Sequence, residues 1–393
     1  MTTWRNSDWL QSHIQRILEF YHPNCIDTTH GGYIAQFDEE TGDIYEEQSK
    51  HLVATCRFIT NYSVGYQLLD RDWCRSACEH GLNFLLDNHH DETQGGYHWI
   101  VEGSEPVDSK RVCYGHAFVI LALARAREAG ISSRDIPLAE TVDFVMEQFW
   151  EDEYGLCRSE YDSTWTQIEA YRGQNANMHM CEALIATYEV TGDDQYLNDA
   201  LKIAKALTVT LTQETDGLIW EHYTPTWEHD FTYNRDTPDD TFRPWGYQPG
   251  HQIEWAKLLA ILSRHSEADW LIPRAEELFQ LGINDGWDPD YGGFYYSFDR
   301  DGVPVVTEKY SWEVAEAIGA AAALYERMGD SQYLDWYDTF WQYATTHMTN
   351  SEFGNWYTKV TETNDPVPTT EGVAVEPGYH PIGACTEALR SIL

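Results

Sequence analysis

The stretch YGGFYYSFDRDG, residues 291–302, places a double glycine before a run of aromatic residues. Glycine permits a tight turn and alternating aromatic residues suit a short strand, so this stretch predicts a β-hairpin. Five related stretches occur along the chain: HGGYIAQFD from residue 30, QGGYHWIVEG from 94, YGLCRSEYD from 154, DGLIWEHY from 216 and FGNWYTKV from 353. The glycines of the six copies lie 64, 59, 62, 76 and 61 residues apart: Gly32, Gly96, Gly155, Gly217, Gly293 and Gly354. The chain therefore repeats a unit of about 60 residues, with one insertion before the fifth copy.

Helical segments lie between these hairpins. They carry apolar residues at helical spacing, as in FVILALARARE from residue 118, ALIATYEVTGDDQYLNDALKIAKAL from 183 and EAIGAAAALYERMGDSQYLDWYDTFWQYA from 316. The last two share a helix, a Gly-Asp-x-Gln-Tyr-Leu turn and a second helix. An outer helix, a hairpin and an inner helix thus follow one another six times. Because each helical pair buries its apolar face only against its neighbours, we predict an all-α protein: a single (α/α)6-barrel domain over residues 1–393, with short β-hairpins at one end.

The inner helices begin at comparable positions after their hairpins. Their first residues are HLVATCRF from 51, VCYGHAFVILALA from 112, NANMHMCEALIA from 175, PGHQIEWAKLLAIL from 249, YSWEVAEAIGAAAAL from 310 and YHPIGACTEAL from 379. Small and apolar residues beyond the first turn let the helices pack closely around an axis. We expect the polar and aromatic residues at these helix starts to face one shared cavity: Arg57, Tyr114, His116, Asn175, His179, His251, Glu254, Trp312, Glu316 and His380.

The charge of the chain excludes several kinds of partner. Lys and Arg number 25 against 65 Asp and Glu, a formal net charge of −40 that repels nucleic acid phosphates and anionic lipid headgroups. The first residues lack the pattern of a signal peptide, and no apolar run is long enough to span a bilayer. Eight cysteines stand singly, without a paired CxxC set. We expect a cytoplasmic protein with reduced thiols, no nucleic acid or membrane partner, and a monomeric or homodimeric state.

Four histidines recur at equivalent positions of the inner helix starts: His116, His179, His251 and His380. Histidine titrates near neutral pH, so two imidazoles facing one substrate exchange acid and base roles without extreme tuning. Each of them taken singly is also explained as a core histidine that is hydrogen-bonded within the barrel. Glu254 follows His251 by one turn, where a carboxylate orients a substrate hydroxyl or tunes the histidine. His179, Cys181, His251 and Glu254 are metal-ligand types, but their spacing matches no metal signature, so we expect neither metal nor cofactor.

Three further side chains have both a structural and a functional interpretation. Arg57 lies on an otherwise apolar helix, so it either pairs with a carboxylate or contacts sugar hydroxyls. Trp312 and Tyr114 are either core aromatics or a stacking surface for a sugar ring. The insertion TPTWEHDFTYNRDTPDDTFRPWGYQ, residues 224–248, is long, polar and aromatic. Loops of this kind are often lids, so we predict a lid loop at about residues 223–247.

Several blocks resemble the N-acylglucosamine 2-epimerase superfamily, in particular its aldose–ketose isomerase branch of mannose and sulfoquinovose isomerases. The blocks are GQNANMHMCEALIATYEVTGD, YNRDTPDDTFRPWGYQPGHQIEWAKLL, EAIGAAAALYERMGD and YHPIGACTEAL. The resemblance runs from about Arg57 to the C-terminus, and RPWGYQPGHQIEWAKLL is its most specific part.

That resemblance implies an (α/α)6 barrel with two acid/base histidines, His251 and His380. It also implies sugar contacts from Arg57, Tyr114, Asn175, His179, Glu254 and Trp312, and a lid arginine at Arg243. The expected reaction interconverts an aldose and its 2-ketose through a cis-enediol, without metal or nucleotide. D-Mannose and D-fructose are the expected pair, with D-lyxose and D-xylulose as a further one. His380 is expected to remove the C2 proton, while His251 moves protons at O1 and O2.

Three other functions stay open at this point. A sugar 2-epimerase uses the same histidine pair but returns the proton to C2 on the opposite face. A glycoside hydrolase needs two opposed carboxylates, for which Glu254 and Glu316 are candidates. A sugar-binding scaffold without catalysis would use the same aromatic cavity, although binding alone does not require four histidines in register.

Overall fold

The computed structural model describes residues 3–131, 135–240 and 242–393. In these residues twelve α-helices follow one another, in the order of outer and inner helices that the repeats predict. Their bounds are α1 Ser7–Tyr21, α2 Leu52–Leu69, α3 Asp72–Phe84, α4 Cys113–Glu128, α5 Leu138–Phe149, α6 Gln174–Thr191, α7 Asp194–Lys205, α8 Pro249–Leu262, α9 Leu271–Gly286, α10 Ser311–Met328, α11 Ser331–Tyr343 and α12 Tyr379–Ser391.

Short strands lie between the helices of successive pairs, at the predicted hairpins. Antiparallel pairs join Gln36–Phe37 to Ile44–Glu46, Trp150–Glu151 to Leu156–Cys157, Arg111–Val112 to Glu160–Tyr161, Ser297–Phe298 to Pro304–Val306 and Lys309–Tyr310 to Lys359–Val360. Ile100–Glu102 lies between Ser49–His51 and Glu105–Asp108 in a sheet of three strands. Arg172–Gly173 and His222–Tyr223 are the remaining short strands.

The residue contacts of the chain divide it into two compact units, which are described separately. The first unit comprises residues 3–17, 204–368 and 380–393, and it contains helices α8 to α11 and nearly all of α12. The second unit comprises residues 18–203 and 369–379, and it contains helices α2 to α6. The single domain expected over residues 1–393 stays a prediction.

The inner and outer helices differ in the way that they are buried. In the inner helix α10 an unbroken run from Glu313 to Leu324 is buried, so every face of the helix is covered by protein. The outer helix α5 buries one face only, through residues at spacings of three and four: Leu138, Thr141, Val142, Val145 and Phe149. The first pattern is typical of a helix inside a core and the second of a helix that covers a core.

The two Gly-Asp-x-Gln-Tyr-Leu turns join inner to outer helices as predicted. Gly192 and Gly329 end α6 and α10 in the left-handed conformation, with φ of 72° and 69°. Glycine adopts this conformation without the strain that a Cβ atom brings. Asp330 then caps α11, because its side chain accepts a hydrogen bond from the Gln332 amide at 3.0 Å.

A buried basic residue stands two positions before four of the inner helices. Each of these residues forms an ion pair with an acidic residue of a hairpin: Lys50 with Asp27, Arg111 with Asp91, Arg172 with Glu151 and Lys309 with Asp288. Both side chains of the Lys309–Asp288 pair are 0% exposed, and Nζ lies 2.7 Å from Oδ2. The other carboxylate oxygen of Asp288 accepts the backbone amides of Asp290 and Tyr291. The pair therefore connects the hairpin turn to the start of α10.

The sixth repeat shows what happens where the basic residue is missing. Residues 376–378 before α12 are Glu-Pro-Gly, and the hairpin residue is Asn350 instead of aspartate. Its Oδ1 accepts the amides of Glu352 and Phe353, as the aspartate oxygen does in other repeats. Charge is thus present in the turn where a buried cation compensates it, which agrees with the high free energy of an unpaired buried charge.

The eight cysteines are all buried and carry free thiols. None of the helices in the described part of the chain combines the length and apolarity needed to cross a membrane.

We expect Lys309→Met to lower the free energy of unfolding by about 3 kcal/mol, because it leaves the Asp288 carboxylate buried without its cation. The double variant Lys309→Met/Asp288→Asn should recover part of this loss, since it reproduces the neutral turn of the sixth repeat. Urea unfolding at pH 7 measures both changes. Arg75→Met, which removes a solvent-exposed ion pair with Glu79, is the control and should leave the free energy of unfolding nearly unchanged. A double variant no more stable than Lys309→Met would contradict the argument.

Candidate active site

His251 is the third residue of α8 and is bound to a carboxylate that comes from a hairpin. Its Nδ1 atom lies 3.0 Å from Oε2 of Glu221, which directly precedes the strand His222–Tyr223. Both side chains are buried. Glu221 keeps the imidazole in one orientation at the N-terminal end of its helix.

His380 is the second residue of α12 and is held in the same way. Its Nδ1 atom lies 2.7 Å from Oε1 of Glu316 on α10. The half-buried indole of Trp312 lies one turn before Glu316 on the same helix, and its centroid is 5.0 Å from the His251 ring and 5.9 Å from the His380 ring. One aromatic side chain therefore borders both histidines predicted as acid and base.

The carboxylates determine which ring nitrogen carries the proton. A carboxylate at Nδ1 accepts a hydrogen bond, so neutral His251 and His380 carry hydrogen on Nδ1 and a lone pair on Nε2. Burial raises the pKa of Glu316, but the Lys257 ammonium and His380 outweigh burial and hold that pKa below its usual value. Glu316 is therefore an anion at neutral pH. Both imidazoles present Nε2 as a base, with a carboxylate to stabilise the protonated form.

These contacts bear on two predictions made from the sequence. The carboxylate at His251 Nδ1 belongs to Glu221 and not to Glu254, so the interpretation that Glu254 holds this histidine is wrong, while a contact of Glu254 with a substrate hydroxyl stays a prediction. Glu316 binds His380 and Lys257, and its predicted contact with substrate also stays a prediction. A signal for Glu221 was present in the repeats. At four residues after the repeat glycine, the copies carry Gln36, Ile100, Ser159, Glu221, Ser297 and Thr358, and the fourth alone has a carboxylate.

A cluster of possible metal donors surrounds His380. One ligand atom each of Glu254, Glu316 and His380 lies within 4.8 Å of the other two. Carboxylate and imidazole groups of this kind can bind a divalent cation. Lys257, however, places its ammonium against the Glu316 carboxylate and 4.0 Å from Oε1 of Glu254. The cation at these carboxylates is thus supplied by the protein chain, and we do not assign the cluster as a metal site.

In the second unit, Arg57 of α2 is buried and pairs with the carboxylate of Glu376. Its guanidinium also donates to the Val375 carbonyl at 2.9 Å and to the Tyr114 hydroxyl at 3.2 Å. The Phe118 and Tyr379 rings lie 4.6 and 5.0 Å from its Cζ atom. Of the two interpretations that the sequence left open for Arg57, the structure shows the ion pair. A sugar contact by the same guanidinium stays a prediction.

His179 is the third histidine whose Nδ1 atom is bound by a carboxylate. Its Nδ1 atom lies 3.0 Å from Oε2 of Glu182, and the other oxygen of Glu182 accepts the Tyr379 hydroxyl at 2.8 Å. The Tyr114 ring stands edge-on to the His179 ring at 5.2 Å. Asn175, one turn before His179, has a buried Oδ1 atom without a hydrogen-bond partner in the described residues. Reasoning from the sequence placed Asn175, His179 and Tyr114 correctly at helix starts but missed Glu182.

His116 has a structural role in the fold. Its Nδ1 atom is 2.8 Å from the Val112 carbonyl, and its Nε2 atom accepts the backbone amide of Tyr97 at 3.1 Å. Both ring nitrogens are thus bonded to backbone, and burial lowers the pKa of His116 to about 4. Tyr114 and His116 are two positions apart, which corresponds to about 200° around a helix, so they cannot share a face. The prediction that His116 binds substrate is therefore wrong.

The predicted lid loop is anchored by aromatic residues next to Glu221. The Trp220 ring lies 5.0 Å from Phe231 and 4.9 Å from Tyr247, and its Nε1 atom donates to the Asp230 carbonyl. Arg243 donates to the Tyr233 hydroxyl at 2.8 Å. The loop is therefore packed onto the hairpin that supplies Glu221. Its closure over a substrate, and a sugar contact from Arg243, stay predictions.

Comparison with known proteins agrees with this architecture. The family model of N-acylglucosamine 2-epimerase matches residues 32–384. The chain belongs to the N-acylglucosamine 2-epimerase family. Within it, the chain is 38% identical over 387 residues to a D-mannose isomerase of Marinomonas mediterranea, covering 98% of this chain and 97% of that protein. It is 35% identical over 380 residues to a D-mannose isomerase of Thermobifida fusca, covering 94% and 91%.

The comparison of structures gives the fold class of this family member. A crystal structure of D-mannose isomerase superposes with a TM-score of 0.95 at 37% sequence identity, covering 99% of each chain. The fold class is the (α/α)6 barrel, which confirms the prediction made from the six repeats.

Burial of neutral His116 makes stability depend on pH. Its pKa is about 4 in the folded chain against 6.5 for the free side chain, so the unfolded chain takes up a proton first as the pH falls. Stability is retained above pH 6.5 and is lost as the pH falls towards 4. We expect His116→Gln to be less stable at pH 7 but to lose about 2 kcal/mol less than the parent protein between pH 7 and 5. Urea unfolding at both pH values measures this difference, and His30→Gln, at an exposed histidine, is the control. Equal losses in His116→Gln and parent would contradict the assignment.

Proposed function

We propose that this protein is an aldose–ketose isomerase that interconverts D-mannose and D-fructose. The observation that carries the proposal is the pair His251 and His380, each held through Nδ1 by a buried glutamate and both bordered by Trp312. The relatives named D-mannose isomerase, at 35% and 38% identity over nearly the whole chain, support the choice of substrate.

The first half of the reaction moves one proton from carbon and one to oxygen. In open-chain mannose, the Nε2 lone pair of neutral His380 removes the proton from C2. The C–H electrons form the C1=C2 bond, the carbonyl electrons move to O1, and protonated His251 gives its Nε2 proton to O1. The product is a cis-enediol, with His380 protonated and His251 neutral. Glu316 stabilises the imidazolium that forms on His380.

The second half returns both histidines to their starting states. His251 removes the proton from O2, the C2=O bond forms, and protonated His380 delivers its proton to C1, which gives fructose. Trp312 offers an apolar surface against which the sugar carbons pack beside the two imidazoles. The sugar contacts that the family resemblance implies for Arg57, Tyr114, Asn175, His179, Arg243 and Glu254 remain part of the proposal. A cytoplasmic location and a monomeric or homodimeric state also remain predictions from the sequence.

Proton and carbon NMR of D-mannose incubated with the protein in heavy water test the reaction. We expect fructose to accumulate, with deuterium at C1 in the fraction of turnovers in which the His380 proton exchanges with solvent. Glucose with deuterium at C2 and no fructose would identify a 2-epimerase. Mannose that is bound but unchanged after long incubation would identify a binding protein. Either of these results would contradict the proposal.

Replacing either histidine by glutamine removes the group that moves a proton. We expect kcat for mannose to fall by about 100-fold to 10,000-fold in His251→Gln and in His380→Gln, because general acid–base catalysis contributes on this scale. His30→Gln, at an exposed histidine, should keep the parent rate. Near-parent activity in both active-site variants would refute the assignment.

Glu221→Gln tests the carboxylate that reasoning from the sequence missed. The glutamine amide oxygen still accepts a hydrogen bond from Nδ1 of His251, but it no longer supplies the negative charge that stabilises protonated His251. We expect kcat to fall by about 100-fold with a smaller change in KM, because the charge matters most when the proton moves. Steady-state kinetics on mannose measure the effect. Glu228→Gln, an exposed glutamate in the following loop, is the matched control, and an equal loss there would mean that the charge at position 221 has no specific role.

A further inference from the structure

Lys257 is the least expected side chain near His380, because the five residues of α8 that follow it, Leu258 to Leu262, are all apolar. Its side chain is 13% exposed, and its ammonium forms an ion pair with Oε2 of Glu316. The other oxygen of the same carboxylate, Oε1, holds Nδ1 of His380 at 2.7 Å. One carboxylate therefore joins a fixed cation to the imidazole.

The Lys257 side chain passes close to a glycine on the neighbouring helix. A Cβ atom at Gly319, one turn after Glu316 on α10, would lie 3.2 Å from Cδ of Lys257. The same Cβ atom would lie 3.9 Å from Cα of Ala384 and 3.9 Å from Cβ of Glu387 on α12. The lysine stem thus occupies a passage that the absence of a side chain at position 319 leaves open.

The charged and titratable groups near His380 in this unit come from two helices. Glu316 lies on α10, while His251, Glu254 and Lys257 lie on α8. Ligand atoms of Glu254, Glu316 and His380 fall within 4.8 Å of one another, so two carboxylates face one imidazole. Without a cation nearby, two buried carboxylates would strongly favour the protonated form of His380. A histidine that stays protonated cannot remove a proton from C2.

We propose that Lys257 is a positioning residue that acts through Glu316: its ammonium balances the Glu254 and Glu316 carboxylates and keeps His380 available as a base. The inference rests on the proposed function for the role of the base, but the electrostatic effect on His380 does not depend on the substrate. The lysine takes the place at these carboxylates that a metal cation would otherwise fill.

Removing the ammonium changes the proton affinity of the whole His380–Glu316 pair in one direction. A nearby positive charge lowers the pKa of both partners. Its loss therefore raises the pKa at which the pair releases its last proton, whichever partner holds that proton. Deprotonated His380 is the form that removes the C2 proton. The acidic limb of the pH profile of kcat/KM should therefore move to higher pH when Lys257 loses its charge.

Two measurements on Lys257→Met and Lys257→Arg test this inference. The first follows the His380 ring by NMR between pH 5 and 9, with His380→Gln to assign the signal, and needs no substrate. We expect the His380 pKa to rise by about one unit in Lys257→Met and to stay near the parent value in Lys257→Arg. The second follows kcat/KM for mannose, whose acidic limb should move by the same amount. Lys202→Met, which removes an exposed positive charge, should move neither.

The outcomes separate this inference from the proposed function. A raised His380 pKa without activity on mannose in any variant would support the role of Lys257 and refute the proposed function. An unchanged His380 pKa in a folded Lys257→Met protein would overturn the inference, and so would a loss of rate that is equal at every pH. If Lys257→Met does not fold, Lys257→Gln removes the charge and keeps a polar end group beside Glu316. It should shift the His380 pKa in the same direction, and an unchanged pKa there would also overturn the inference.

Discussion

The buried ion pair between Asp288 and Lys309 anchors the start of α10, the helix that places Trp312 beside His251 and His380 and Glu316 at His380 Nδ1. Equivalent pairs anchor three further inner helices. A lysine or arginine two residues before α2, α4, α6 and α10 binds an acidic hairpin residue away from water. A buried charge that loses its partner is strongly unfavourable, so each pair keeps one point of the hairpin next to the first turn of its helix. The polar residues of the first turns follow directly from these anchored points. Trp312 comes three residues after Lys309, and Glu316 one turn later.

The proposed acid–base chemistry depends on carboxylates that lie on other elements than the histidines they orient. His251 on α8 takes its partner from a hairpin, and His380 on α12 takes its partner from α10. Such an arrangement gives the two imidazoles the same tautomer. It also gives them different surroundings, because the carboxylate that holds His380 is shared with Lys257. This difference suits the two histidines to the two tasks that the proposed reaction gives them, one at carbon and one at oxygen.

Much of the fold was predictable because its signals are local. A glycine followed by aromatic residues predicts a turn and strand, and a Gly-Asp-x-Gln-Tyr-Leu stretch predicts a helix end and a new helix start. Spacing along one helix also correctly placed Trp312 and Glu316 on a common face. The error at His116 arose where that rule was not applied, since residues 114 and 116 point to opposite sides of α4. The partners Glu221, Glu182 and Lys257 were not predicted, because periodicity places a residue on its own element only. Which ring nitrogen a carboxylate reaches depends on how neighbouring elements pack.

His251 and His380 present Nε2 as the basic atom because a glutamate binds the hydrogen at Nδ1 of each ring. Long-range proton–nitrogen NMR correlation on protein with ¹⁵N-labelled histidine distinguishes the two neutral tautomers directly, with glutamine variants to assign the signals. We expect that, whenever either ring is neutral, its proton resides on Nδ1. A neutral ring at position 251 or 380 with its proton on Nε2 would contradict it.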